Sequence, residues 1–492
     1  MNLVGNGISV TIMVVILVAT VILGIYAGRR RQSSLEEWSL GSRGFGAFLL
    51  WFLMGGEIYT TAAFLGAAGW IYAKGAPGFY LMANVPLAYA LGYYLLPKVN
   101  KMGRRTGAMT LSDYFRDRFE SKWLAGLMAL VALIAIIPYF ELQLKGLGII
   151  VNIATYGVIK STPAVWVGAL LIAAFVILSG IRSTAWTSVV KDGLMIVVLF
   201  SIGIGIPLAY GGTGHVFQAV RAKMPELFTL PGHTTLNGVL WFMTTLVVVN
   251  IGYWAWPHLF AAAYTAKSAR SLKRNAVFVP LYSLAYYFIF VVAFTAIIAV
   301  PGLKNSDSSL LFMVDKVYPA WVLGVVGATG ALVALVPGSA LVINGSLLFT
   351  KNILKETLGI RMSDRRMFVV SRITLVALLL IGVGLALSGS NSIVGLILIA
   401  YNAIGQLAPG ILLGMYTKMV NKYGVFVGML VGIVLVNVKS KGLTNALTLH
   451  HQVNSGFTVI IINLALAVII SAFTSRTSAA TLARYFDGGV AS

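Results

Sequence analysis

A glutamate follows two glycines in the middle of an apolar stretch that is long enough to cross a bilayer: Gly55-Gly56-Glu57, within residues 45–74. A carboxylate in hydrocarbon is costly, so its presence there asks for a purpose. Paired glycines weaken a helix and permit a local break, which frees backbone carbonyls and amides to bind something. Such breaks are tolerated at membrane depth only where they line an enclosed cavity. Glu57 could therefore take up and release a proton there; the plainer role is to cap the amides that the break frees. Tyr59, Thr60 and Gln143 are candidates by adjacency to the break. A second interrupted stretch, LWFMTTLVVVNIGYWAWPH, carries Asn250, Gly252 and Pro257. Tyr253 and Trp254 beside it could close over a small solute, and Asn250 could hydrogen-bond it. Trp256, Pro257 and His258 read as residues of the membrane interface. Glu141 and Lys145 lie four apart, on one helical face. They suit an internal ion pair better than a substrate clamp or a proton path shared with Glu57.

The elements that must hold these residues are membrane helices. Of 492 residues, 59% are hydrophobic and 10% charged, against about a quarter charged in soluble domains. Apolar runs of about 20 residues recur, and they are too uniformly apolar for the alternating strands of an outer-membrane barrel. Thirteen spans are expected, near 8–27, 45–73, 77–97, 123–157, 163–181, 193–210, 236–257, 276–300, 320–350, 371–388, 392–416, 424–438 and 456–474. The fourth contains Pro138 and reads as one long, tilted or bent helix. Segment 211–232 reads as a short surface helix, and segments 106–121 and 182–192 as amphipathic stretches along the inner membrane surface or as plain ordered loops.

The net charge of +22 sits in short loops and not on one face, so it speaks for topology and not for nucleic acid. With the amino end outside, the basic clusters at Arg29-Arg30-Arg31, 101–122, 182–191, 267–274, 351–372 and 418–422 fall on the cytoplasmic side. Roughly 27 of the Lys and Arg residues lie there and about 8 on the other side. The chain then reads as one transmembrane domain over 1–474, with core repeats over 45–210 and 236–416. The flanking spans are 8–27, 424–438 and 456–474, and a short cytoplasmic tail covers 475–492. A prokaryotic cytoplasmic membrane fits. Cysteine is absent, which excludes disulfides, thiolate metal sites and cysteine nucleophiles. Scattered histidines, no phosphate-binding glycine loop and no catalytic set speak against an enzyme, a bound cofactor or a metal.

Several stretches resemble the sodium:solute symporter family. Glu37-Trp38-Ser39-Leu40-Gly41-Ser42-Arg43 is similar to the motif preceding its second span. Phe64-Leu65-Gly66-Ala67-Ala68-Gly69-Trp70, with Tyr72 and Gly75, resembles that span's second half. Ser179-Gly180-Ile181-Arg182 through Trp186-Thr187 and Met195, and the run Asn250 to Lys267, follow in the same order. GGEIYT, LKGLGIIV and WPHLFAAAYTAKSARSLKRNA look closest to the monocarboxylate-permease-like branch. The resemblance implies an all-α, LeuT-like fold: an inverted five-helix repeat with broken helices, working by alternating access on a small organic solute and a coupling cation. It also implies that Gly56 and Tyr59 match the carbonyls that hold the family's ion. The departures bear on that ion. Val336-Pro337 stand where sodium users carry a hydroxyl pair, with Ser339 as the nearest remaining hydroxyl, and Ser188 and Lys191 replace an aspartate and a glutamine. A hard cation needs about five or six oxygen ligands, so the loss favours protons over sodium. The expected function is a symporter importing a short monocarboxylate or amino acid. An atypical sodium symporter and an uncoupled facilitator remain as alternatives. The oligomeric state is left open.

Overall fold

The computed structural model describes residues 3–28, 35–232, 238–438 and 440–486. Among these residues the chain is all-helical, apart from one isolated bridge between Phe45 and Ala266. The arginines 29–31, Lys439 and residues 487–492 lie outside the described residues.

Each expected span coincides with helix. Among the described residues nine helices are long and apolar enough to cross a membrane unaided, and the pairs Val239–Tyr253 with Pro257–Thr265 and Lys422–Asn437 with Lys441–Leu447 are bent. The remaining two spans contain the shorter apolar helices Ala47–Gly56 and Ser161–Ala173. Span four is one continuous helix, Lys122–Ala154, that passes through Pro138. At 1.5 Å per residue its 33 residues reach about 50 Å, more than the hydrocarbon core requires.

Two surface expectations change. Segment 182–192 is helical, and the span Ser183–Ala209 begins inside it. Lys191 and Asp192 there have no exposure, so neither lies along a surface. Within 106–121 the helix Leu111–Phe119 carries a capping box at Thr110 and Asp113 and is packed into the end of the bundle, with Arg118 buried. The expected short helix in 211–232 is Thr213–Lys223.

Spans two and seven are both interrupted and cross in opposite senses. The start of one meets the end of the other: Phe45 N–H donates to Thr265 O (3.0 Å), and Lys267 N–H donates to Phe45 O (2.9 Å). Asn100 and Arg104 on span three brace this junction through the carbonyls of Ala263, Ala266 and Lys267. Small residues allow the close contacts around the breaks. A Cβ at Gly146 would fall 1.8 Å from the Thr61 methyl, and one at Gly92 would fall 2.5 Å from the Trp254 ring. Neither position can carry a side chain without moving its neighbour.

Candidate functional site

In span two the α-helix Ala47–Gly56 stops at the glycine pair, and residues 57–60 form turns. Helix resumes through a π-turn, Ala62–Gly66, and continues as Ala67–Lys74. Ile58 N–H donates back to Gly55 O, which tightens the end and leaves later groups without helical partners. Gln143 from span four takes one of these: its Oε1 accepts from Thr61 N–H at 3.2 Å. Two others, the carbonyls of Gly56 and Tyr59, accept from Lys191 Nζ at 2.5 and 3.0 Å.

Span seven breaks at Trp254–Trp256 and turns by 46°. Pro257 opens the second half, where its missing N–H costs no helical bond. This turn brings His258 to the first break. His258 Nε2 lies 3.3 Å from Glu57 Oε2, with both side chains buried. The approach lacks hydrogen-bond geometry, so both ring nitrogens and Glu57 Oε2 keep unspent hydrogen-bonding capacity. A small cavity next to the pair is lined by Ser39, Leu53, Ala261, Thr265 and Asn344. Beside them Tyr139 packs on Trp256 (4.8 Å between ring centroids), and Trp256 meets Tyr401 edge-on.

The breaks therefore bring Gly56, Glu57, Tyr59, Thr60 and Gln143 together. Tyr59 is already engaged: its hydroxyl donates to Tyr282 O (3.2 Å), and its ring packs on Tyr282. Tyr253 and Trp254 instead pack on Tyr89 of span three, and the Trp254 indole N–H donates to Ala88 O (2.7 Å). Asn250 Nδ2 donates to Leu246 O within its own helix, leaving Oδ1 unpartnered. Ser339 likewise donates to Leu335 O, and it lines an apolar pocket with Leu171, Thr187 and Val336.

Two expectations are corrected. Lys145 does not pair with Glu141 but donates to the carbonyls of Gly389 (3.1 Å) and Asn391 (2.5 Å), where the loop between spans ten and eleven offers oxygens already freed by a helix end. Glu141 lies against Gly389, since a Cβ there would fall 2.4 Å from its Oε1. Trp256 and His258 do not face outward as an interfacial belt would: they are 1% and 5% exposed, because the break folds them inward. Sequence reasoning also missed Tyr139, Asp192 and Tyr282, and it treated Lys191 only as a departure in a loop. A polar stripe at Thr184, Ser188 and Lys191, spaced four and three, was the available signal for a buried helical face.

The model of the sodium:solute symporter family matches residues 38–432, most of the chain. The chain belongs to that family. The symporter is 37% identical over 476 residues to an uncharacterized symporter, YhjB, of Bacillus subtilis (strain 168), covering 94% of this chain and 97% of the relative. It is 25% identical over 437 residues to the monocarboxylate transport permease protein of Rhizobium johnstonii (strain DSM 114642 / LMG 32736 / 3841), covering 87% of each. Its fold is similar to a solved sodium-coupled sialic acid symporter in a substrate-bound outward-open state, with a TM-score of 0.79 at 15% identity, covering 96% of this chain and 99% of that one. The LeuT-like architecture expected from the sequence is thereby shown. The protein is an integral membrane symporter for small solutes and not an enzyme.

Proposed function

We propose that this symporter imports a short monocarboxylate or an amino acid by alternating access, coupled to protons. The observation that carries the reading is the buried Glu57–His258 pair at the meeting of the two breaks, where a carboxylate and an imidazole share one approach of 3.3 Å. Such a pair can exchange a proton with the cavity beside it, and its charge changes when it does. Gln143 Nε2 and Thr61 Oγ1, both buried at the first break and without partners, are hydrogen-bonding groups available to a polar solute. The relative named as a monocarboxylate transport permease supports the carboxylate class. The substituted hydroxyl pair in span nine supports protons over sodium. In this reading residues 1–474 form one transmembrane domain, with repeats over 45–210 and 236–416. The amino end faces outward, and the tail lies in the cytoplasm of a prokaryotic cell.

The test is uptake of lactate, pyruvate and proline into proteoliposomes under an imposed pH gradient without sodium. Accumulation is expected for at least one of them. Glu57→Gln should abolish accumulation while solute exchange at equal pH persists. Unchanged gradient-driven accumulation in Glu57→Gln overturns the proton role. Accumulation driven only by a sodium gradient favours an atypical sodium symporter, and equilibration without accumulation favours a facilitator.

A further inference from the structure

Lys191 is a lysine without solvent exposure inside a membrane-crossing helix. A buried ammonium is costly unless oxygens surround it, and the chain supplies them from two elements. Its Nζ donates to the Gly56 and Tyr59 carbonyls, on either side of the turns that interrupt span two. It also lies 3.0 Å from Asp192 Oδ1, while Asp192 Oδ2 accepts from the Tyr282 hydroxyl at 3.0 Å. Ser188 stands beside them. Its hydroxyl donates to Thr184 O (2.9 Å), which leaves its lone pairs free, and a Cβ on Gly56 would come within 3.1 Å of its Oγ.

A plain structural ion pair accounts for only part of this arrangement. Lys191 and Asp192 are chain neighbours, and their contact lacks hydrogen-bond geometry at Oδ1. The well-directed bonds of the ammonium go to two carbonyls that a continuous helix would have used itself. Freed carbonyls at a broken helix, a carboxylate and a hydroxyl form the hard-oxygen set that a small monovalent cation selects.

We propose that Lys191 is a tethered cation: its ammonium fills a monovalent-cation site formed by the Gly56 and Tyr59 carbonyls, Asp192 and Ser188. The chain itself then supplies the charge that a dissolved ion would otherwise bring. A tethered charge cannot leave with the solute, so no sodium gradient is drawn upon at this point. That consequence rests on the transport reading above, whereas the site itself does not. Removing the side chain should convert the position into a binding site for sodium.

The experiment uses the purified full-length protein and needs no solute, so its failure is separable from failure of the uptake experiment. Thermal melting is followed in sodium, lithium, potassium and choline chlorides at equal ionic strength. The wild type should melt at one temperature in sodium and in choline. Lys191→Ala should melt lower in choline and be raised by several degrees by sodium, saturably. Lys191→Ala with Asp192→Asn should lose that response. A Lys191→Ala protein that melts alike in all four salts overturns the proposal and leaves a helix-pinning ion pair. Where Lys191→Ala cannot be purified, binding of radioactive sodium to the wild type decides: no saturable binding supports the proposal, and saturable binding abolished by Asp192→Asn overturns it.

Discussion

Replacing Lys191 by methionine keeps the apolar stem and removes the ammonium, and the structure allows the cost to be worked through. The Gly56 and Tyr59 carbonyls lose donors at 2.5 and 3.0 Å. A buried acceptor left without its donor costs about 1–3 kcal/mol. Asp192, with no exposure, loses the cation 3.0 Å away. Breaking a buried pair from one side costs about 3–5 kcal/mol, because one charge is left without compensation. Proton uptake by the carboxylate caps that part, so the expected loss for Lys191→Met is about 5 kcal/mol. Asp192→Asn is milder, about 2–3 kcal/mol, since the ammonium keeps both carbonyls and an amide oxygen can still accept from Tyr282. With both changes neither charge remains, and the double variant should cost at least about 2–3 kcal/mol less than the sum of the singles. The assay is thermal melting of the four proteins in detergent, in choline chloride so that no small cation fills the gap. The expected order, from most to least stable, is wild type, Asp192→Asn, then the double variant level with or above Lys191→Met. A double variant whose loss equals the sum of the two single losses would show that the two residues act independently and refute the argument.

Two further predictions concern the frame around the site, beside those already made for Glu57→Gln and for sodium binding by Lys191→Ala. A Cβ on Gly69 would fall 2.5 Å from Asp307 Oδ1 and 2.7 Å from its Cα. Because that second atom is backbone, Gly69→Ala should lower stability by about 1–3 kcal/mol and loosen the Asp307 bond to Ile393 N–H, read as a lower melting temperature and faster proteolysis of the 300–308 loop. Asp113 lies outside the crossing segments. Burial alone would raise its carboxyl, but the charge and hydrogen bond of Lys351, with the Met109 amide, hold it below the ordinary value. A depressed folded-state value stabilises fully above the unfolded value of about 3.9 and loses that stabilisation as pH falls through the folded one. Melting temperature should therefore fall more steeply below about pH 4 for the wild type than for Asp113→Asn. Parallel profiles would refute it.

The spans could be read because a bilayer imposes about 20 apolar residues on any crossing helix, a demand that composition alone answers. The two breaks were also legible, since Gly55-Gly56 and the Asn250–Pro257 stretch are poor material for continuous helix. Lys191 was not. A Lys-Asp pair at the edge of an apolar run looks like a loop, and only the packing of span six against span two shows that two of the lysine's oxygen partners come from another helix. His258 failed for the same reason: Trp-Pro-His ends an apolar run, as an interfacial belt does, and nothing local says that the break turns it inward. Glu141 and Lys145 have the spacing of a pair, yet the lysine found two freed carbonyls within reach that spacing cannot register.

The junction of Phe45 with Thr265 and Lys267 has a consequence of another kind. The cavity beside Glu57 reaches Ser39 and Thr265, and at this end two main-chain bonds join the broken spans, braced by the side chains of Asn100 and Arg104. Parting the two spans there would unzip that two-bond seam, worth about 1–3 kcal/mol in all, and give both partners to water. The two bonds themselves use only peptide groups. The join thereby tolerates substitution at Phe45, Thr265 and Lys267, while its bracing depends on Asn100 and Arg104.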